Sequence, residues 1–143
     1  MPNQIRNIIA LMVAIMAAAM ITFLIITFGH AIIPPPDLID TNDFESIKSN
    51  FHLFQTKHFI FPLLAHAMGT LVAAFLVALL AANHQFRLAL GIGVLFMLAS
   101  LWLAFRIGHF NWIGVVEIMQ YIPFSILGYR LWRRMDEKRS KKV

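Results

Sequence analysis

Residues 59–105 read FIFPLLAHAMGTLVAAFLVALLAANHQFRLALGIGVLFMLASLWLAF, and Arg87 is the one charged side chain among them. Ala82-Asn83-His84-Gln85 divides the stretch into two apolar runs. At 1.5 Å of rise per residue, both reach the length needed to cross a hydrocarbon core of about 30 Å, the second near the lower limit. Working outward, Arg87, Arg106 and Glu117 are the only Asp, Glu, Lys or Arg from His58 through Tyr129. Hydrophobic residues make up 59% of the 143 and charged residues 13%, about half the usual charged share. A water-soluble domain of this size has too little interior for so many apolar side chains, whereas lipid demands them. The chain therefore reads as a small polytopic membrane protein.

Four spans are expected, at about 8–28, 59–82, 87–105 and 112–132, in one membrane domain covering 1–132. The first lies in a charge-free run from Asn7 through Pro36. It exceeds the apolar core of a signal peptide, so it reads as an uncleaved helix despite the cleavage-like Ala17-Ala18-Ala19. It is expected to end at Gly29-His30, before Pro34-Pro35-Pro36. Pro62 falls in the first turn of the second span, where proline is tolerated. Trp112 and Trp132 flank the fourth, as interfacial aromatics do, and Pro123 is expected to kink it. The fold class is thus an all-α, four-transmembrane-helix bundle with a basic tail at 133–143. In the 31–58 loop, Asn42 and Glu45 fit a capping pattern. Phe44, Ile47, Phe51 and Phe54 then share one helical face, predicting a short amphipathic helix between the first two spans, on the outer membrane surface or over the bundle's mouth, that caps the bundle, covers a site or docks a partner.

Charge sets the orientation. A four-span path puts Arg6, Arg87, Arg130, Arg133, Arg134, Lys138, Arg139, Lys141 and Lys142 on one side. Asp37, Asp40, Asp43 and Glu45 lie on the other, with Lys48, Lys57 and the dissenting Arg106. The positive-inside rule then makes both termini cytoplasmic. The tail is expected to hold the helix end at anionic lipid, each basic residue near the surface contributing about 1 kcal/mol; docking of an acidic partner is the alternative reading. Nucleic acid is disfavoured as a partner, because no aromatic or loop elements accompany the charge.

Three local patterns line up along the chain: Gly29-His30 followed by Pro34-Pro35-Pro36, Ala65-His66-Ala67-Met68-Gly69-Thr70, and Tyr121-Ile122-Pro123 with Gly128. Together they resemble a widespread family of small four-helix bacterial membrane proteins. The likeness extends from about Phe23 to Leu131, and the basic tail lies outside it. It implies the fold and an inner-membrane location, and brings no activity with it.

Helix packing decides what faces inward. In lipid, small residues allow close approach. Ala65, Gly69 and Ala73 form one such seam, and Gly114, Glu117, Tyr121, Ser125 and Gly128 form a stripe opposite Val115, Ile118, Met119, Ile122 and Ile126. An inward Glu117 must pair, reach water or hold a proton. Topology brings His66, Arg106 and His30 to its level, with Gln120 one turn away. The expected polar cluster is therefore Glu117, His66, Arg106, His30 and Gln120. Beside Arg106 the carboxyl would be ionised; merely buried, it would be neutral.

The absence of cysteine excludes disulfide and thiolate chemistry. No metal or other cofactor is expected. His30 and His66 differ in depth, no His-x-x-x-His spacing occurs, and His52, His58, His84 and His109 fall in loops or at interfaces. Ser100 and Ser125 lack a hydrolase setting, so no enzyme is expected. The first functional expectation is an accessory or scaffold subunit that associates with other membrane subunits, or with itself, through its small-residue seams. The alternative is a proton, ion or small-solute transporter or channel component that uses the Glu117/His66/Arg106 cluster.

Overall fold

The computed structural model describes residues 2–37, 39–108 and 112–141; His109 and Lys142 lie outside the described residues. The described chain is all-helical: α1 (Asn3–Ile32), α2 (Phe44–Ser49), α3 (Ile60–Leu80), α4 (Gln85–Ile107) and α5 (Trp112–Ser140), with 3-10 turns at Phe51–Leu53 and Thr56–Phe59. Three helical stretches, Asn3–Ile32, Thr56–Leu80 and Gln85–Ile107, are long and apolar enough to cross a membrane. α5 has the length, but Glu117, Gln120 and Pro123 dilute its apolar character.

Several boundaries differ from the sequence reading, for local reasons. α1 continues past Gly29-His30 to Ile32, with the Ile33 amide bonded to the Gly29 carbonyl at 2.7 Å. A proline restricts itself and the residue before it, so Ile33, which precedes Pro34, is the first to leave helical geometry (φ −125°, ψ 87°). Asp43, not Asn42, caps α2, accepting from the amides of Glu45 and Ser46 at 3.2 and 3.1 Å. α2 stops after six residues and does not run on to Phe54. The Asn50 side chain takes the Ser46 carbonyl at 2.9 Å. Phe51, Phe54 and Phe59 then stack as a ring cluster with centroids 5.8–5.9 Å apart. α5 passes continuously through Pro123 and carries the basic segment as helix up to Ser140.

The other three long helices pack around α3, which touches α1, α4 and α5. It can do so because it is nearly lined with small residues: Ala65, Ala67, Gly69, Thr70, Ala73, Ala74 and Ala78 are all buried. Ala10, Ala14 and Ala18 of α1, one turn apart, close against Ala73, Ala74, Val77 and Ala81. A methyl group on Gly69 would sit 2.7 Å from the Thr22 hydroxyl, and one on Gly128 would strike the Leu71 carbonyl. The α3–α4 turn is tied to the start of α1. Asn7 Nδ2 donates to Asn83 Oδ1 and the Ala82 amide to Asn7 Oδ1, both at 2.8 Å, while Arg6 Nε donates to the Leu80 carbonyl at 2.8 Å. We call this the termini end, and the one covered by α2 and the 3-10 turns the capped end. Outward, large apolar side chains stand bare: Met16 is 69% exposed, Phe23 68% and Phe105 75%. Water would make that surface aggregate; lipid covers it.

Candidate functional site

Three helices deliver polar side chains to one level near the capped end. His66 is one and a half turns into α3, Ser100 two turns before the end of α4, and Glu117 the sixth residue of α5. At 1.5 Å per residue, each lies about 7–10 Å from its helix end, so antiparallel packing brings them together. His66 Nδ1 stands 3.0 Å from Glu117 Oε1. The same oxygen accepts from Ser100 Oγ at 3.1 Å and from the Tyr121 hydroxyl at 3.4 Å. Nδ1 is buried and has no other partner among the described residues, so the carboxylate is its one polar neighbour; the contact is an ion pair only when His66 carries a proton. Their side chains keep 30% and 22% exposure.

All of the donors reach Oε1. No donor among the described residues reaches Oε2, yet Oε2 is not sealed in protein, since the buried unpartnered side-chain atoms are His66 Nδ1 and Gln120 Nε2. Glu117 borders two cavities. One, of about 490 Å³, is a cleft between α1 (Ile15, Ala18, Ala19, Thr22, Phe23) and α4 (Phe96, Ala99, Ser100, Leu103), floored by His66, Thr70, Glu117 and Tyr121. It exists because α1 and α4 each pack on α3 and barely meet each other. The other, of about 280 Å³, lies under the capped end among His30, Phe51, Phe54, His58 and Phe59, and reaches the same His66, Ser100 and Glu117. The first volume falls in the lower part of the range of small-molecule sites and the second just below it. The His66–Glu117 pair thus stands between a side-opening apolar cleft and a chamber beneath the aromatic cap.

The structure brings together Glu117 and His66 and separates two expected members. Arg106 is exposed at the end of α4, its guanidinium 5.4 Å from the Trp102 ring and 5.6 Å from that of Phe44. The reason is register: Ser100 is the α4 residue at the level of Glu117, and Arg106 lies nearly two turns further out. His30 lines the second cavity without a hydrogen bond to Glu117, because α1 extends past it. Gln120 leaves its buried Nε2 without a partner among the described residues, so it does not join the cluster. Ser100 and Tyr121, weighed in sequence as a nucleophile and a stripe residue, are the members that were missed. The i, i+4 step from Glu117 to Tyr121 was the available signal for one; Ser100 needed the α4 register, which sequence does not give.

The small residues behave as packing residues. Ala65, Gly69, Ala73 and Gly128 are buried against neighbouring helices of the same chain, and Gly114 borders the second cavity. Among the described residues, no group of three or more His, Asp or Glu is placed to hold a metal ion. No protein-family model, curated protein or solved structure matches the chain.

Proposed function

We propose that the chain is a four-span protein of the bacterial inner membrane, with both termini cytoplasmic, that admits a small apolar solute from the lipid into the α1–α4 cleft and holds its polar group at His66–Glu117. The observation that carries this reading is the cleft itself. It has apolar walls, one polar floor, and a mouth between two helices that must face acyl chains. An ion entering alone would find no hydrated lining there, which favours a solute that arrives through lipid. Basic residues at the termini end support the orientation, as do Asp37, Asp40, Asp43 and Glu45 at the capped end. For α5 as a fourth span, Tyr121, Ser125 and Gly128 face inward while Val115, Val116 and Met119 face out. The basic helical extension would then rest on anionic lipid.

The test is saturable binding of three labelled probes to the protein in detergent: tetraphenylphosphonium, tetraphenylborate and neutral benzophenone. At least one is expected to bind with one-to-one stoichiometry and to weaken about tenfold or more in Ala99→Phe or Ala19→Phe, which fill the cleft, provided the variants keep the wild-type unfolding midpoint. Binding of no probe, or binding that both fillings leave unchanged, overturns the reading. The competing proposal is an accessory subunit that associates with other membrane proteins. Its seams of small residues are already occupied within the chain, which weakens it. A stoichiometric membrane-protein partner co-purifying in mild detergent, and lost on substitution of exposed α1 residues, would restore it.

A further inference from the structure

Resting on the reading of the cleft as a solute site, we propose that its guest is a lipophilic monocation, such as an amine or onium compound with an apolar body, held by the free oxygen of Glu117. A carboxylate in a low-dielectric setting needs a compensating charge, and the described residues supply none that is permanent. Among the described residues, no Lys or Arg lines either cavity. The one arginine near this level, Arg106, turns outward onto Phe44 and Trp102. Among the described residues, the other titratable groups facing Glu117 are His66 from α3 and Tyr121 from its own helix, with His30 from α1 and His58 across the second cavity. Compensation therefore comes from a proton shared with His66, or from the guest.

The geometry favours a cation over the other head groups an apolar solute might carry. Ser100, Tyr121 and His66 all converge on Oε1, which fixes the carboxylate and leaves Oε2 as an acceptor with no donor among the described residues. An anionic head group would face that oxygen with repulsion. A cationic one gains the carboxylate and also the faces of Phe23, Phe96 and Tyr121, which border the same cavity. With His66 protonated the pair is neutral and its pull on a cation falls, so proton and guest compete for the same carboxylate.

Tetraphenylphosphonium and tetraphenylborate have nearly the same shape and opposite charge, so the pair isolates the sign of the guest. The expected result is saturable phosphonium binding to the wild-type protein, about tenfold or more weaker in Glu117→Gln, with borate bound far more weakly throughout. The Glu117→Gln protein must keep the wild-type unfolding midpoint. If it does not, Glu117→Asp, which retains the charge, must retain phosphonium binding while Glu117→Gln loses it. Equal binding of both ions, a preference for borate, or phosphonium binding indifferent to Glu117→Gln overturns the proposal. If borate or benzophenone binds and is expelled by Ala99→Phe while phosphonium does not bind, the cleft stands as a solute site and only the cationic guest is lost. If nothing binds, the cleft reading itself fails.

Discussion

The two ends of this bundle are built from different material. At the termini end, α1, α3 and α4 meet through Ala10, Ala14, Ala73, Ala74, Val77, Ala81, Ala89 and Ile92, each at most 4% exposed. Their polar groups are closed pairwise by Asn7, Asn83 and Arg6. At the capped end, α1 and α4 barely meet and two cavities remain around a partly exposed acid. One chain thus carries a rigid half with its hydrogen bonds satisfied and a loose half with an unfinished polar site. In lipid no hydrophobic force drives helices together, so close contact through small side chains must hold the first half. That support allows the second to keep a gap between α1 and α4.

The contrast can be broken from the tight side. Gly128→Leu drives a side chain into the Leu71 carbonyl and Ala74, and is expected to destabilise the protein by about 3 kcal/mol, the upper part of the range for overpacking. The unfolding midpoint in micelles reads this directly; an unchanged midpoint would mean that α3 and α5 do not meet as described. Next in size, His66→Ala removes the nearest partner of Glu117. Exposed ion pairs contribute little and broken buried pairs cost several kcal/mol, so this partly exposed pair is expected to cost about 2 kcal/mol. The double variant His66→Ala/Glu117→Gln should recover part of that loss. A double variant as unstable as the sum of the singles would show that the pair is not coupled.

Asn7→Ala opens the lock on the α3–α4 turn by removing two hydrogen bonds, and is expected to cost about 1–2 kcal/mol. Hydrogen exchange at Ala82 and Asn83 should rise with it, while exchange around Ser100 stays the same. The smallest effect belongs to the loose end. Ala99→Leu adds bulk where space exists, and should shift stability by no more than about 0.5 kcal/mol in either direction. A loss as large as that of Gly128→Leu would mean that the cleft is closed in the membrane.

Much of the inward packing was legible in the sequence. Ala65, Gly69 and Ala73, and the Tyr121-Ser125-Gly128 stripe, lie inward because spacing in lipid has few other uses. The Ala10-Ala14-Ala18 seam obeys the same spacing, but its surroundings are so uniformly apolar that no polar face marks it. Gly93, packed on Ser125, escaped notice for the same reason. The meeting of Glu117 with His66 followed from depth alone. Arg106 did not, because the register of α4 against α5 was not known, and nearly two turns separate the level of the site from the aromatic rim. The capping helix failed at Asn50, where a local side-chain bond to the backbone outweighed a favourable face. The cleft was invisible in the sequence, since a gap between α1 and α4 arises from their separate packing on α3 and leaves no residue signature.

The chain has no cysteine, so one introduced thiol can report on one position. A spin label at Ala99→Cys, in the wall of the cleft, can be compared in lipid nanodiscs for collision with oxygen and with a water-soluble nickel chelate. A cleft that opens to the hydrocarbon at the level of His66 and Glu117 predicts frequent collision with oxygen and very little with the chelate. Frequent collision with the chelate, or shielding from both, would contradict a solute path from the lipid to that pair.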